Sequence, residues 1–125
     1  MNEARCLCGA VTFTVTGTLP PAAICHCREC RRQSSHQFAA TTVRKDDLTI
    51  RGGENLSWYH ASSHARRGFC KRCGAWLFWE PLAEATVDVA MGAFDTPTGT
   101  EVARHIFVAE KGDYYRIADG LPQEP

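Results

Sequence analysis

Seven cysteines in three tight groups hold most of the chemical potential of this chain: Cys6-Leu7-Cys8-Gly9, Cys25-His26-Cys27-Arg28-Glu29-Cys30 and Cys70-Lys71-Arg72-Cys73-Gly74. Thiolates two or three positions apart converge on one ion without a large bend in the chain, and sulfur suits a borderline-soft ion such as Zn²⁺. Gly9 and Gly74 directly follow a cysteine and supply the positive φ that lets backbone amides turn toward sulfur. That shared feature pairs Cys6 and Cys8 with Cys70 and Cys73 as a closed four-thiolate site. Such a site joins distant segments, so metal binding energy becomes folding energy. Cys25, Cys27 and Cys30 then remain as three donors for a four-coordinate ion. Closed four-ligand sites are structural, whereas three protein ligands with an open position typify catalysis, the open position taking water or an incoming thiol. The expectation is two zinc ions per chain.

Other readings of the same residues compete with this one. His36, His60, His64 or His105 would close the second site as Cys₃His, a purely structural arrangement. His26 projects away from its two neighbours in extended backbone and is not expected to be a ligand. Disulfides are disfavoured by the odd cysteine count, and a redox role for Cys70 and Cys73 lacks a surrounding βαβ pattern. Only five residues precede Cys6, leaving no room for a leader within this sequence, and no apolar run is long enough for a bilayer. Reduced, metal-bound cysteines in the cytoplasm are the expectation.

The elements that position these cysteines read mostly as strands. Val11, Phe13 and Val15 alternate with threonines, and Val87, Val89 and Met91 share one face of Thr86–Met91. Gln37–Val43 and Ala75–Trp79 are of strand length, as are Arg104–Val108 and Tyr114–Ile117, with Lys111-Gly112-Asp113 as a turn between the last two. Leu48–Arg51 and Leu56–His60 flank Gly52-Gly53 and predict a hairpin. Helical signal is confined to a turn or two over Glu29–Ser35. No repeat or linker divides the 125 residues, so a single mainly β domain over 1–125 is expected. Hydrophobic residues make up 44%, and 14 basic residues balance 14 acidic ones, which argues against nucleic-acid or acidic-membrane binding driven by bulk charge.

Around the central trio, Arg28, Arg31 and Arg32 are candidates to offset an anionic metal centre or to bind a carboxylate bidentately; a solvated basic stretch is the plainer alternative. Ser34, Ser35 and Phe38 lie just beyond and are weaker candidates for a pocket lining. Trp58, Tyr59, Trp76, Phe78 and Trp79 offer a pocket wall, although core packing is the commoner fate of such residues in a small β domain.

Taken together, Cys-x-Cys-Gly-x-Val near the start, Cys-His-Cys-x-x-Cys-Arg and Gly-Phe-Cys-x-x-Cys-Gly resemble the glutathione-dependent formaldehyde-activating (GFA) family, which includes centromere-protein-V-like members. His105-Ile106-Phe107-Val108 and Ala118-Asp119-Gly120-Leu121-Pro122 extend the resemblance to about residues 5–122. The chain departs from the family pattern at Gly112-Asp113-Tyr114, where an Ala-Pro-Trp-like step is common. The resemblance implies an Mss4-like β-tent stapled by zinc on Cys6, Cys8, Cys70 and Cys73, with a second zinc on Cys25, Cys27 and Cys30. It also implies carbon–sulfur lyase chemistry, the condensation of glutathione with formaldehyde to S-hydroxymethylglutathione. The partners implied are a small thiol such as glutathione and an aldehyde. A non-catalytic Mss4-like zinc module that binds a protein partner is the alternative from another functional class.

Overall fold

The computed structural model describes all residues, 1–125. Ten strands form two sheets, with one α-helix and four single-turn 3-10 helices. In chain order the strands and the α-helix are β1 (Asn2–Arg5), β2 (Thr12–Val15), β3 (Ala22–Cys25), α1 (Arg28–Ser34), β4 (Phe38–Arg44), β5 (Leu48–Arg51), β6 (Leu56–Tyr59), β7 (Ala65–Cys70), β8 (Trp76–Pro81), β9 (Thr86–Ala90) and β10 (Val102–Ile106). One sheet has the order β1-β2-β5 and the other β10-β3-β4-β9-β8-β7-β6. All neighbours are antiparallel except β10, which runs parallel to β3.

Alternation decides what lies between the sheets. Phe13 and Val15 of β2 meet Val43 of β4, Val87 and Val89 of β9, and Leu77 and Phe78 of β8 in the main core. The rings of Phe13 and Phe78 lie 4.9 Å apart and tilted, and Phe94 meets Phe13 edge-on. Successive strand side chains point to opposite faces. The intervening residues of the large sheet therefore face outward: Phe38, Ala40 and Thr42 of β4, Asp88 of β9, Trp79 of β8. That outer face carries a second, smaller core, in which Cys30 of α1 packs on Phe38, Ala40 and Ala90.

The expected hairpin across Gly52-Gly53 does not form. β5 pairs with β2, and β6 pairs with β7 at the far edge of the other sheet. Gly52 does adopt positive φ, +76°, but it serves a crossover between sheets. A Cβ on Gly52 would sit 2.0 Å from the carbonyl oxygen of Ala10. The crossover is tied to both glycine-bearing cysteine turns: Asn55 donates to the Ala10 oxygen, and its own carbonyl accepts from the Lys71 amide at 2.8 Å. Gly52→Ala is expected to cost at least about 2 kcal/mol, from left-handed strain together with a backbone collision. Urea denaturation measures it; a loss below 0.5 kcal/mol, on the order of an ordinary surface change, would contradict the crossover geometry.

Tyr114–Ile117 is not a strand either. Tyr115 instead packs on His26 and Tyr114 on His36. The outer side of β10 is bridged by residues 122–124: the His105 amide donates to the Pro122 carbonyl and the Glu124 amide to the His105 carbonyl, each at 2.9 Å. No helix is long and apolar enough to cross a membrane.

Candidate metal centres and an adjoining cavity

Both glycine turns fold as their spacing requires. Gly9 has φ +79° and Gly74 φ +81°. The Gly9 amide donates to the Cys6 carbonyl, and the Gly74 amide to the Cys70 carbonyl at 2.7 Å. The Val11 amide donates to Cys6 Sγ at 3.3 Å, while the Ala10 and Ala75 amides serve Cys8 and Cys73. The four sulfurs of Cys6, Cys8, Cys70 and Cys73 gather within 4.8 Å of one another. Cys6 and Cys8 are 3.7 Å apart at sulfur, and Cys8 and Cys70 are 3.8 Å apart. A tetrahedron with Zn–S bonds of about 2.3 Å has edges of about 3.8 Å, so the donor set fits zinc. Cys6 and Cys70 are fully inside the main core, which binds the site to the packing of both sheets.

The central trio forms a second group. Cys25 ends β3, Cys27 caps α1, and Cys30 lies one turn into it. Their sulfurs are also within 4.8 Å of one another, and no histidine or carboxylate completes the group. The Cys30 amide donates to Cys27 Sγ at 3.3 Å. Hydrogen bonds from the Cys25 and Cys30 thiols, helped by that amide and the charge of Arg67, hold Cys27 far below the ordinary thiol range. The same bonds push Cys25 up to about 11, and Cys30 is pushed up as well. Three sulfurs already biased toward a shared thiolate suit a soft cation.

A cavity of about 630 Å³ adjoins the trio, lined by Cys25, Cys27 and Cys30 and by the outer face of the large sheet. Strand register orders that face into rows. Ile106, Cys25 and Phe38 are neighbours across β10, β3 and β4. Farther along, Thr42, Asp88, Trp79 and Arg67 are neighbours across β4, β9, β8 and β7.

Of the candidate residues, Arg28 and Phe38 line the cavity, whereas Arg31, Ser34 and Ser35 do not; Arg32 lies on a second hollow beside Trp76 and Tyr59. Of the five aromatic candidates, Trp79 lines the cavity. Phe78 is core, Trp58 packs against the core beneath Arg66, Trp76 stacks on Phe38 at 3.6 Å, and Tyr59 is exposed. None of His36, His60, His64 and His105 joins the three sulfurs. His64 lines the cavity, and His36 pairs with the Tyr114 hydroxyl. His26 points away from the trio, as extended backbone requires, and is fully buried between Tyr115 and His105, with His105 Nε2 bonded to Asp119 at 2.8 Å. Tyr114 and Gly112, at the departure from the family pattern, are not among the cavity residues.

Arg67 is the residue that sequence reasoning missed. Only 5% exposed, its guanidinium reaches Glu29 at 2.9 Å, Gln33 at 3.2 Å and Cys30 Sγ at 3.8 Å, and it lies over Trp76. It clamps α1 to β7 and places a fixed positive charge against the trio. No local signal marks it, because Ala65-Arg66-Arg67-Gly68 carries two adjacent arginines and no alternation.

Asp88 lies between Val87 and Val89, on the opposite face of β9. Its Oδ1 accepts from the Thr42 hydroxyl at 2.7 Å. Burial raises its pKa above the ordinary carboxylate value, the Thr42 bond opposing this and nearby Glu84 adding to it. The sign follows from linkage. Well below pH 4 the folded and unfolded chains both carry the proton; as pH rises the unfolded chain releases it first, and the folded protein loses stability until its own higher pKa is passed. Asp88→Asn is therefore expected to be more stable than the parent near neutral pH, the difference closing as pH falls toward about 4. Denaturation at a series of pH values checks this, and an advantage that grew in acid would refute it.

A β fold stapled by one four-cysteine turn pair, with a three-cysteine group opening on a cavity, defines a class of small proteins with two thiolate metal-binding clusters. Residues 1–110 match the family described as glutathione-dependent formaldehyde-activating enzyme, and the chain belongs to that family, whose fold is Mss4-like. A Halomonas elongata protein provisionally named a glutathione-dependent formaldehyde-activating enzyme is 31% identical over 92% of this chain and 80% of its own length. An uncharacterized lyase of Schizosaccharomyces pombe is 35% identical over 62% of this chain; the match spans only 56% of the yeast protein. A crystal structure of a Rhodobacter sphaeroides protein superposes with a TM-score of 0.65 at 24% identity, covering 98% of this chain and 99% of the other.

Proposed function

We propose that the chain is a carbon–sulfur lyase of the GFA type, joining a small thiol such as glutathione to an aldehyde such as formaldehyde at the Cys25, Cys27 and Cys30 cluster. The observation that carries this reading is the coincidence of three convergent sulfurs, with no fourth protein donor, and a cavity of about 630 Å³. A zinc ion held by these three sulfurs would lower the pKa of a thiol brought to its remaining position. In the reaction the thiol sulfur bonds to the carbonyl carbon, the C–O π pair moves to oxygen, and the thiol proton ends there.

The chain's own residues supply the rest. Phe38 and Ile106 line the cavity beside the sulfurs, the half-exposed Phe107 also borders it, and Trp79 lines the far part. Arg67 offsets the negative charge of three thiolates, without which a fourth anionic sulfur would be repelled. Arg28 lines the same cavity and suits a substrate carboxylate. Holding thiol and aldehyde in one walled space converts a bimolecular encounter into a positioned one. Seven unpaired cysteines fit a reducing compartment such as the cytoplasm.

Zinc analysis of anaerobically prepared protein, followed by cobalt substitution, tests the reading. Two metals are expected, one of whose spectra shifts on adding glutathione. One metal alone, or two that ignore small thiols, would overturn it.

A further inference from the structure

We propose that Asp88 is the receptor for an ammonium group of the substrate, so that the cavity selects amine-bearing, tripeptide-sized thiols over simple ones. The inference rests on the reading of the trio as the thiol site, and deepens it. Asp88 lines the cavity, yet forms no ion pair with any arginine, lysine or histidine. The cationic residues of the same cavity have other partners or other positions. Arg67 is held by Glu29, and Arg104 by Glu124 at 2.8 Å. Arg28 stands at the start of α1, at the sulfur end. Oδ1 of Asp88 is occupied by Thr42, and Oδ2 has no protein partner. No fully buried side-chain oxygen in the chain lacks a partner, so Oδ2 is open to solvent. An unpaired carboxylate placed among Trp79, Thr42 and alanines, in a half-enclosed space, is a recognition group for a cation.

Register sets the distance. Cys25 is opposite Phe38, Asp88 is opposite Thr42, and four residues of β4 separate the two rows. At about 3.3 Å per residue along a strand and about 4.8 Å between strands, Cys25 and Asp88 are roughly 16 Å apart at Cα. A tripeptide spans about 10 Å, and the bonds at its two ends supply much of the remainder. A two-carbon thiol reaches one end only. Arg28, which has no ion-pair partner, remains for a carboxylate, so a zwitterionic peptide thiol meets opposite charge for both of its charged groups, whereas a simple thiol meets neither.

The test uses ligands without a free thiol, which separates it from the metal chemistry. S-methylglutathione and its N-acetyl derivative are titrated into the holoprotein by calorimetry, with parent and Asp88→Asn compared. The parent is expected to bind the free amine at least about 10-fold more tightly than the acetylated form, and the variant, which keeps a side chain able to pair with Thr42, is expected to lose that preference. Equal affinities in the parent, a preference that survives in Asp88→Asn, or no binding of either ligand would each overturn the proposal. The cobalt response to free glutathione reports separately on the thiol site, so an inert metal spectrum with Asp88-dependent amine binding would sink the proposed reaction and leave the ammonium site standing.

Discussion

Cys70→Ser is expected to yield a protein that does not hold its fold at ordinary temperatures. Cys70 is fully buried and shares the main core with Cys6, Phe13 and Leu77. Structural zinc sites carry apparent binding energies of about 10–16 kcal/mol, comparable to the whole net stability of a domain. Removing one of four donors forfeits much of that, and a serine hydroxyl stranded in the core adds about 1–3 kcal/mol of unsatisfied burial. Thermal denaturation, soluble yield and metal content together measure the effect. Cys8→Ser separates the two causes: Cys8 is exposed, so its loss weakens the metal site without burying a hydroxyl, and an intermediate stability is expected. A Cys70→Ser protein with the parental melting temperature would show that the four-sulfur group is not a metal staple.

The second large effect is kinetic. Cys25→Ser is expected to lose one metal equivalent and to lower turnover by at least about 100-fold, since even groups that only orient metal ligands are worth 10–100-fold. Its melting temperature should stay within a few degrees of the parent. Cys25 lines the cavity at the end of β3, outside the main core, and the strand's pairing to β4 and β10 is made by backbone. The spontaneous condensation of thiol with aldehyde must be subtracted. A variant that unfolds and releases both metals would favour the non-catalytic module, and unchanged turnover would remove the trio from the reaction altogether.

The geometry of the cysteine groups was legible because it is written in local spacing and in the two glycines that follow cysteines. β2, β4, β8 and β9 were legible by alternation or apolar length. β7 was not, since Arg66-Arg67-Gly68 reads as a polar loop until Arg67 is seen between Glu29 and Cys30. Pairing partners were not legible either. Gly52 has the backbone conformation of a hairpin turn, yet β5 and β6 belong to different sheets, and nothing local distinguishes a turn from a crossover. Tyr114–Ile117 has strand-forming residues, but its tyrosines are used on His26 and His36. Arg67 and Asp88 acquire their meaning from neighbours more than twenty residues away, which no window of sequence contains.

Residues 122–124, lying against β10, cover an edge of the large sheet. β10 is the outermost strand of the large sheet, and a bare outer strand offers a row of free amides and carbonyls to any other strand that arrives. Here the Pro122 carbonyl and the Glu124 amide occupy those positions, and Asp119 anchors the segment through His105. Shortening the protein at residue 117 would uncover the strand next to the one that carries Cys25, inviting sheet-to-sheet aggregation beside the three-cysteine group.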